Sequence, residues 1–162
     1  MERAREIFEA EARIGEVEIL EFEPEHGERI LVNGDDPGLK QFTPTTLEMY
    51  AQAGPAYTAI AYDQVVLCAG IMLMWPGVGT AWAVVSPLIE RYRVSGSAAA
   101  MYGLKYLIDK YQFHRVQAPV YEKFDRGIRW VEFLGFKREG PLEAFGRNRE
   151  NYIMYAWIKE GD

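Results

Sequence analysis

The chain has 162 residues, enough for one domain whose core needs no disulfide or metal staple. Its 49% hydrophobic and 14% aromatic content suits an ordered fold and excludes a disordered chain. The net charge of -6 is unevenly placed. Residues 1–28 hold ten glutamates against three arginines, whereas residues 91–138 hold ten Lys/Arg against four Asp/Glu. An acidic chain with no basic run interleaved with aromatics argues against nucleic-acid binding. The single cysteine, Cys68, lies in the apolar run Val65-Val66-Leu67-Cys68-Ala69, so it reads as a core thiol with no intrachain partner. No apolar stretch reaches membrane-spanning length and no cationic apolar leader opens the chain, so no membrane and a cytoplasmic, reducing setting are expected.

Residues 2–13 read as a short charged helix, an appendage over 1–14 to a single domain spanning 15–162. Alternation predicts a strand over 16–22. Pro24 opens a helix that Asn33-Gly34 stops, and Asp35-Asp36-Pro37-Gly38 is a turn-rich loop. Thr43-Pro44 supplies an N-cap and a first-turn proline for a helix over 44–53, ended by Gly54-Pro55. Three strands over about 56–62, 65–74 and 79–86, joined by turns at Asp63-Gln64 and Trp75–Gly79, predict an antiparallel meander. Met101, Leu104, Leu107, Ile108 and Tyr111 recur at helical spacing and predict a helix over 97–111. A strand over 114–120, an amphipathic helix over 122–134 ending at Gly135, and strands near 136–144 and 150–158 complete the chain.

The stretch Arg93-Val94-Ser95-Gly96-Ser97-Ala98 stands between a predicted strand and a predicted helix. A helix start offers unbonded N–H groups and the positive end of the helix dipole, Arg93 adds a full charge, and small residues let an anion approach. The local basic excess over 91–138 suits the same ligand, and it suits solvated helix faces equally. By itself Ser95-Gly96-Ser97 also reads as an ordinary helix N-cap.

The spacing Arg-x-x-Gly-x-Ala resembles the Arg/Gln-x-x-Gly-x-Gly/Ala pyrophosphate signature of the GCN5-related N-acetyltransferase (GNAT) family. The element order β-α-α-β-β-β-α-β-α-β-β over residues 16–158 resembles that family too. Glu132-Phe133-Leu134-Gly135-Phe136 is similar to its Tyr-Glu-Lys-Leu-Gly-Phe helix ending, and Lys137-Arg138-Glu139-Gly140 with Asn151–Tyr155 resembles its final hairpin. The resemblance implies an α/β (α+β) fold: a mixed, mainly antiparallel, twisted sheet of about seven strands flanked by about four helices. It implies acetyl-CoA as co-substrate, an amine acceptor on a small molecule or protein, and direct acetyl transfer. Backbone groups of Val84, Val85 and Ser86 would pair with the pantetheine arm, and the N–H groups of Val94, Ser95, Gly96, Ser97 and Ala98 would hold the pyrophosphate beside Arg93.

Departures from the pattern accompany the resemblance. Leu88–Tyr92 make the path from strand to turn about three residues longer than is usual in the family. The family's frequent Asn after the fifth strand falls on Phe124, and its frequent thiolate-protonating Tyr falls on Val131. Tyr121 and Tyr92 are substitute acids, each with packing as its alternative. Glu48 and His26 are the general-base candidates nearest the expected acceptor cleft, with a solvated helix face as the alternative for each. His114 reads as a strand-start residue, and the four tryptophans read as core. No metal-ligand spacing, Walker loop or Rossmann glycine triplet is present. The competing expectation is a fold member without catalysis, such as a bacteriophage-type structural or interaction protein, or an acyl-CoA sensor. The sequence leaves the oligomeric state open, a homodimer included.

Overall fold

The computed structural model describes residues 13–32 and 42–161. The expected N-terminal helix falls outside them except at Arg13, and Arg13–Ile14 form a two-residue strand, β1, instead. The loop expected at Asp35–Gly38 also lies outside the described residues. β2 (Val17–Glu21), α1 (Pro24–Val32), α2 (Pro44–Ala53), β3 (Ala56–Ala61), β4 (Gln64–Trp75) and β5 (Val78–Val85) follow in order. A 3-10 turn at Pro87–Glu90 leads into α3 (Arg93–Lys110), then β6 (Arg115–Tyr121), α4 (Asp125–Phe133), β7 (Lys137–Leu142) and β8 (Tyr152–Ile158).

Among the described residues the strands form one eight-stranded sheet of order β1-β2-β3-β4-β5-β6-β8-β7, one strand more than expected. Every neighbouring pair is antiparallel except β5–β6. Tight hairpins serve the antiparallel neighbours: Tyr62 and Asp63 turn between β3 and β4 with φ of 49° and 62°, and Pro76-Gly77 turns between β4 and β5 with Gly77 at 87°. A parallel pair needs a crossover, and the 3-10 turn with α3 provides it.

Two apolar clusters explain the continuous hydrophobic run of β4. Val66, Leu67 and Ile71 join a core beneath α3 that includes Ala99, Ala100, Leu104, Leu107 and Ile108. Val65 and Cys68 join a second cluster beneath α1 and α2 with Phe22, Ile30, Leu47 and Trp82. A strand covered on both sides has no wet face, so alternation disappears. Small residues bring α3 close to the sheet: a Cβ on Gly103 would come within 2.5 Å of the Tyr57 ring, whose hydroxyl donates to the Ala100 carbonyl at 3.0 Å.

The third helix starts at Arg93, four residues before the expected position. Gly96 N–H donates to the Tyr92 carbonyl at 2.6 Å, so the small-residue stretch is wound into the helix. Gly96 is buried on the side facing the 3-10 turn, where a Cβ would meet Ile89 Cδ1 at 2.5 Å. The path from β5 to α3 is a packed 3-10 turn, capped by Ser86 Oγ accepting from Leu88 N–H at 3.1 Å.

Candidate functional site

The parallel ladder between β5 and β6 is short: Val78↔Arg115, Gly79↔Val116 and Thr80↔Gln117 pair, and no later residue does. Beyond Thr80 the ladder ends, leaving a gap in the pairing of the two strands. Which backbone groups face that gap follows from strand alternation. Ser86 N–H donates to Val66 O at 2.9 Å, so Ser86, Val84 and Trp82 direct their backbone groups toward β4. Ala83 and Val85 direct theirs into the gap, without a strand partner among the described residues.

This geometry corrects two expectations. Val84 is fully buried beneath α1 and α2, with its backbone turned to Cys68 on β4. Ser86 has both backbone groups engaged, its N–H by Val66 and its carbonyl by Ile89 N–H at 3.0 Å. The backbone groups of Val85 turn to the gap, and so do those of Ala83, which the sequence analysis did not name. Counting back by twos from Val85 would have found Ala83 once the register was known.

At the mouth of the gap lies the start of α3. The N–H groups of Arg93, Val94 and Ser95 precede the first intrahelical bond and have no acceptor among the described residues. Gly96, Ser97 and Ala98 were expected to present N–H groups as well. The Gly96 group is bonded, and Ser97 and Ala98 follow inside the helix, where amides bond to the preceding turn. The unbonded N–H groups thus lie a residue or more N-terminal to the set expected from sequence. The Arg93 side chain is exposed and stands 4.0 Å from Glu90 Oε2, while Arg126 at the start of α4 approaches Glu90 Oε1 to 3.7 Å. Glu90 therefore links the β5–α3 lip of the gap to the β6–α4 lip. Neither Glu90 nor Arg126 was singled out from sequence, because their meeting depends on two elements 36 positions apart.

Tyr121 is the last residue of β6 and pairs across the strands with Tyr152, the ring centroids 5.8 Å apart. Phe145 in the β7–β8 loop stands 5.2 Å from Tyr152 and extends this aromatic row. Burial raises the Tyr152 pKa, and the charges of Glu150 and Tyr121 add to the rise. On the neighbouring wall Tyr50 of α2 stacks on Trp82 at 5.0 Å. Burial raises the Tyr50 pKa, and the Arg147 guanidinium partly offsets it. Glu48 is exposed on α2.

Other candidates fall into structural roles. His26 is buried, not on a wet helix face: its Nδ1 accepts from Glu23 N–H at 3.1 Å and lies 2.8 Å from Thr58 Oγ1. Tyr92 is buried in the main core beside Tyr62. Phe124 precedes α4 with its ring against Gly127, and Val131 packs on the main core. Burial pushes the Cys68 thiol up to about 12, which removes it as a nucleophile at neutral pH. A hollow of about 320 Å³ lined by Ile108, Phe113, Trp157 and neighbours lies by the C-terminal end of α3, away from the gap. Among the described residues no helix is long and apolar enough to cross a membrane.

No family model and no curated protein matches the chain. Solved structures do. The chain is similar to an acetyltransferase (GNAT family) from Bacillus anthracis, with a TM-score of 0.72 at 19% identity, covering 93% of this chain and 99% of that one. It is similar to Ard1 from Thermoplasma volcanium, with a TM-score of 0.76 at 16% identity over 90% and 99% of the two chains. It is also similar to the ribosomal-protein-S5-alanine acetyltransferase from Vibrio fischeri, at 0.68 and 12% over 91% and 96%. With the split β5–β6 pair, the crossover helix and the final β7–β8 hairpin in place, the fold of this chain is that of the GCN5-related N-acetyltransferases.

Proposed function

We propose that this chain is an N-acetyltransferase that takes its acetyl group from acetyl-CoA and passes it to an amine. One observation carries the reading: the parallel β5–β6 ladder stops after three pairs beside a helix start with three unbonded N–H groups. An extended amide-bearing arm finds strand-like partners on Ala83 and Val85, in the manner of an added strand. A diphosphate finds the N–H groups of Arg93, Val94 and Ser95 with Arg93 and Arg126 nearby, a fit of charge and donor number. Acetyl-CoA supplies an activated thioester, so the protein's contribution is position, carbonyl polarisation and proton handling.

Tyr121 is the residue best placed to handle a proton, because it ends β6 on the lip of the gap. Glu48, exposed on α2, is retained as a base acting by way of water. Titration with acetyl-CoA by calorimetry, with desulfo-CoA and ATP as controls, tests the binding half of the reading. Micromolar affinity for both CoA forms and none for ATP supports it, and no heat at millimolar acetyl-CoA refutes it. A specific observation also favours a second reading, binding without turnover: the position of the family's thiolate-protonating tyrosine is Val131, packed on the core. Tight binding with no product across a panel of amines distinguishes the two.

A further inference from the structure

The gap between β5 and β6 begins abruptly, and the chain holds a local reason for it. Arg115 N–H donates to Gly77 O at 3.1 Å, so odd-numbered residues of β6 present their backbone groups to β5. Even-numbered residues face β8: Lys159 N–H donates to His114 O at 2.8 Å, and Glu122 N–H to Asn151 O at 3.1 Å, framing that ladder at both ends. In the parallel register Thr80↔Gln117, the next bond after Ala81 N–H to Gln117 O would run from the N–H of residue 119 to Ala81 O. Residue 119 is Pro119 and has no N–H. Its neighbour on the other side, β8, is unaffected, because residue 119 does not donate in that direction. Pro119 pairs in register with Met154 while β6 continues to Tyr121.

A proline inside a strand with neighbours on both sides is found where a ladder is meant to stop. We infer that Pro119 is a positioning residue that opens the cofactor cleft: it withholds the one donor that would carry the β5–β6 ladder past Ala81. The open edge of Ala83 and Val85 is then left for a ligand. The effect on cofactor affinity rests on the proposed function, whereas the effect on the ladder does not.

The test is Pro119→Ala, with Pro119→Val as a second variant that favours strand pairing more strongly. Amide hydrogen exchange reads the ladder without any ligand. The new N–H of residue 119 is expected to be protected to a degree comparable with Gln117, whose N–H already bonds to β5. Calorimetry reads the cleft: closing one more bond obliges the cofactor to break it, and acetyl-CoA affinity is expected to fall about threefold to tenfold. Fast exchange at residue 119 in both variants overturns the inference, whatever the parent binds. Protection at residue 119 with undiminished acetyl-CoA affinity overturns the link to the cleft. A parent that binds no acetyl-CoA overturns the proposed function, and the exchange result still decides whether Pro119 ends the ladder.

Discussion

Val94→Glu separates the anion site from the fold, because the two respond with opposite signs. Val94 is 86% exposed and is the second residue of α3, so its replacement removes almost no buried apolar surface. The first turn of α3 carries no acidic residue. A carboxylate there meets the positive end of the helix and adds about 0.3–1 kcal/mol of stability. The same carboxylate competes for the N–H groups of Arg93, Val94 and Ser95, where the diphosphate is proposed to sit. Loss of one charge-assisted hydrogen bond is worth about 1.5–3 kcal/mol. At about 1.4 kcal/mol per factor of ten, the Kd for acetyl-CoA rises roughly tenfold to a hundredfold. Urea denaturation reads the first effect and calorimetry the second. An unchanged Kd with an unchanged or raised midpoint refutes the assigned site, and a lowered midpoint refutes a helix start at Arg93. Gly96→Glu, the more obvious charge insertion in the Arg-x-x-Gly-x-Ala pattern, confounds the two because its Cβ meets Ile89 Cδ1 at 2.5 Å.

Gly103→Ala opposes helix propensity to packing. Propensity favours alanine by about 0.8–1 kcal/mol, but overpacking against the buried Tyr57 ring costs about 1–3 kcal/mol. The expected net loss of up to about 2 kcal/mol lowers Tm by as much as roughly 8 °C, and a raised Tm contradicts the close approach of α3 to the sheet. Arg115 hydrogen-bonds Glu139 at 2.8 and 2.6 Å across β8, which holds the Glu139 carboxyl below its usual range. A lowered folded-state pKa contributes stability that is present above the ordinary carboxylate value and is lost as pH falls through the lowered one. Glu139→Gln should therefore be less stable than the parent at neutral pH, the difference vanishing in acid below the lowered value. A difference independent of pH in denaturant titrations contradicts the pairing.

Much of the fold was legible in the sequence because its signals are local. Thr43-Pro44 marks the start of α2, where Thr43 Oγ1 accepts from Thr46 N–H at 3.2 Å. Gly135 ends α4 with a φ of 96°, as a left-handed residue after a helix should. Periodicity in Met101–Ile108 exposed α3, but its start was misread: Ser95-Gly96-Ser97 has turn chemistry, and burial of Gly96 against Ile89 made it helix. His26 was misread for a similar reason. Its burial depends on Thr58, 32 residues away.

The site divides along the same line. Composition and short-range spacing carry the order of elements from β2 onward, a helix start rich in small residues beside Arg93, and the identity of Pro119. Which backbone groups are available follows from strand pairing alone. The choice of Ala83 and Val85 over Val84 and Ser86 depends on the register with β4, and a one-residue slip would reverse it. The meeting of Glu90 with Arg93 and Arg126, and the absent bond from residue 119 to Ala81, depend on a parallel pair whose strands are separated by a whole crossover helix. Backbone direction and cross-strand partners are properties of pairing, which no single stretch of this chain contains.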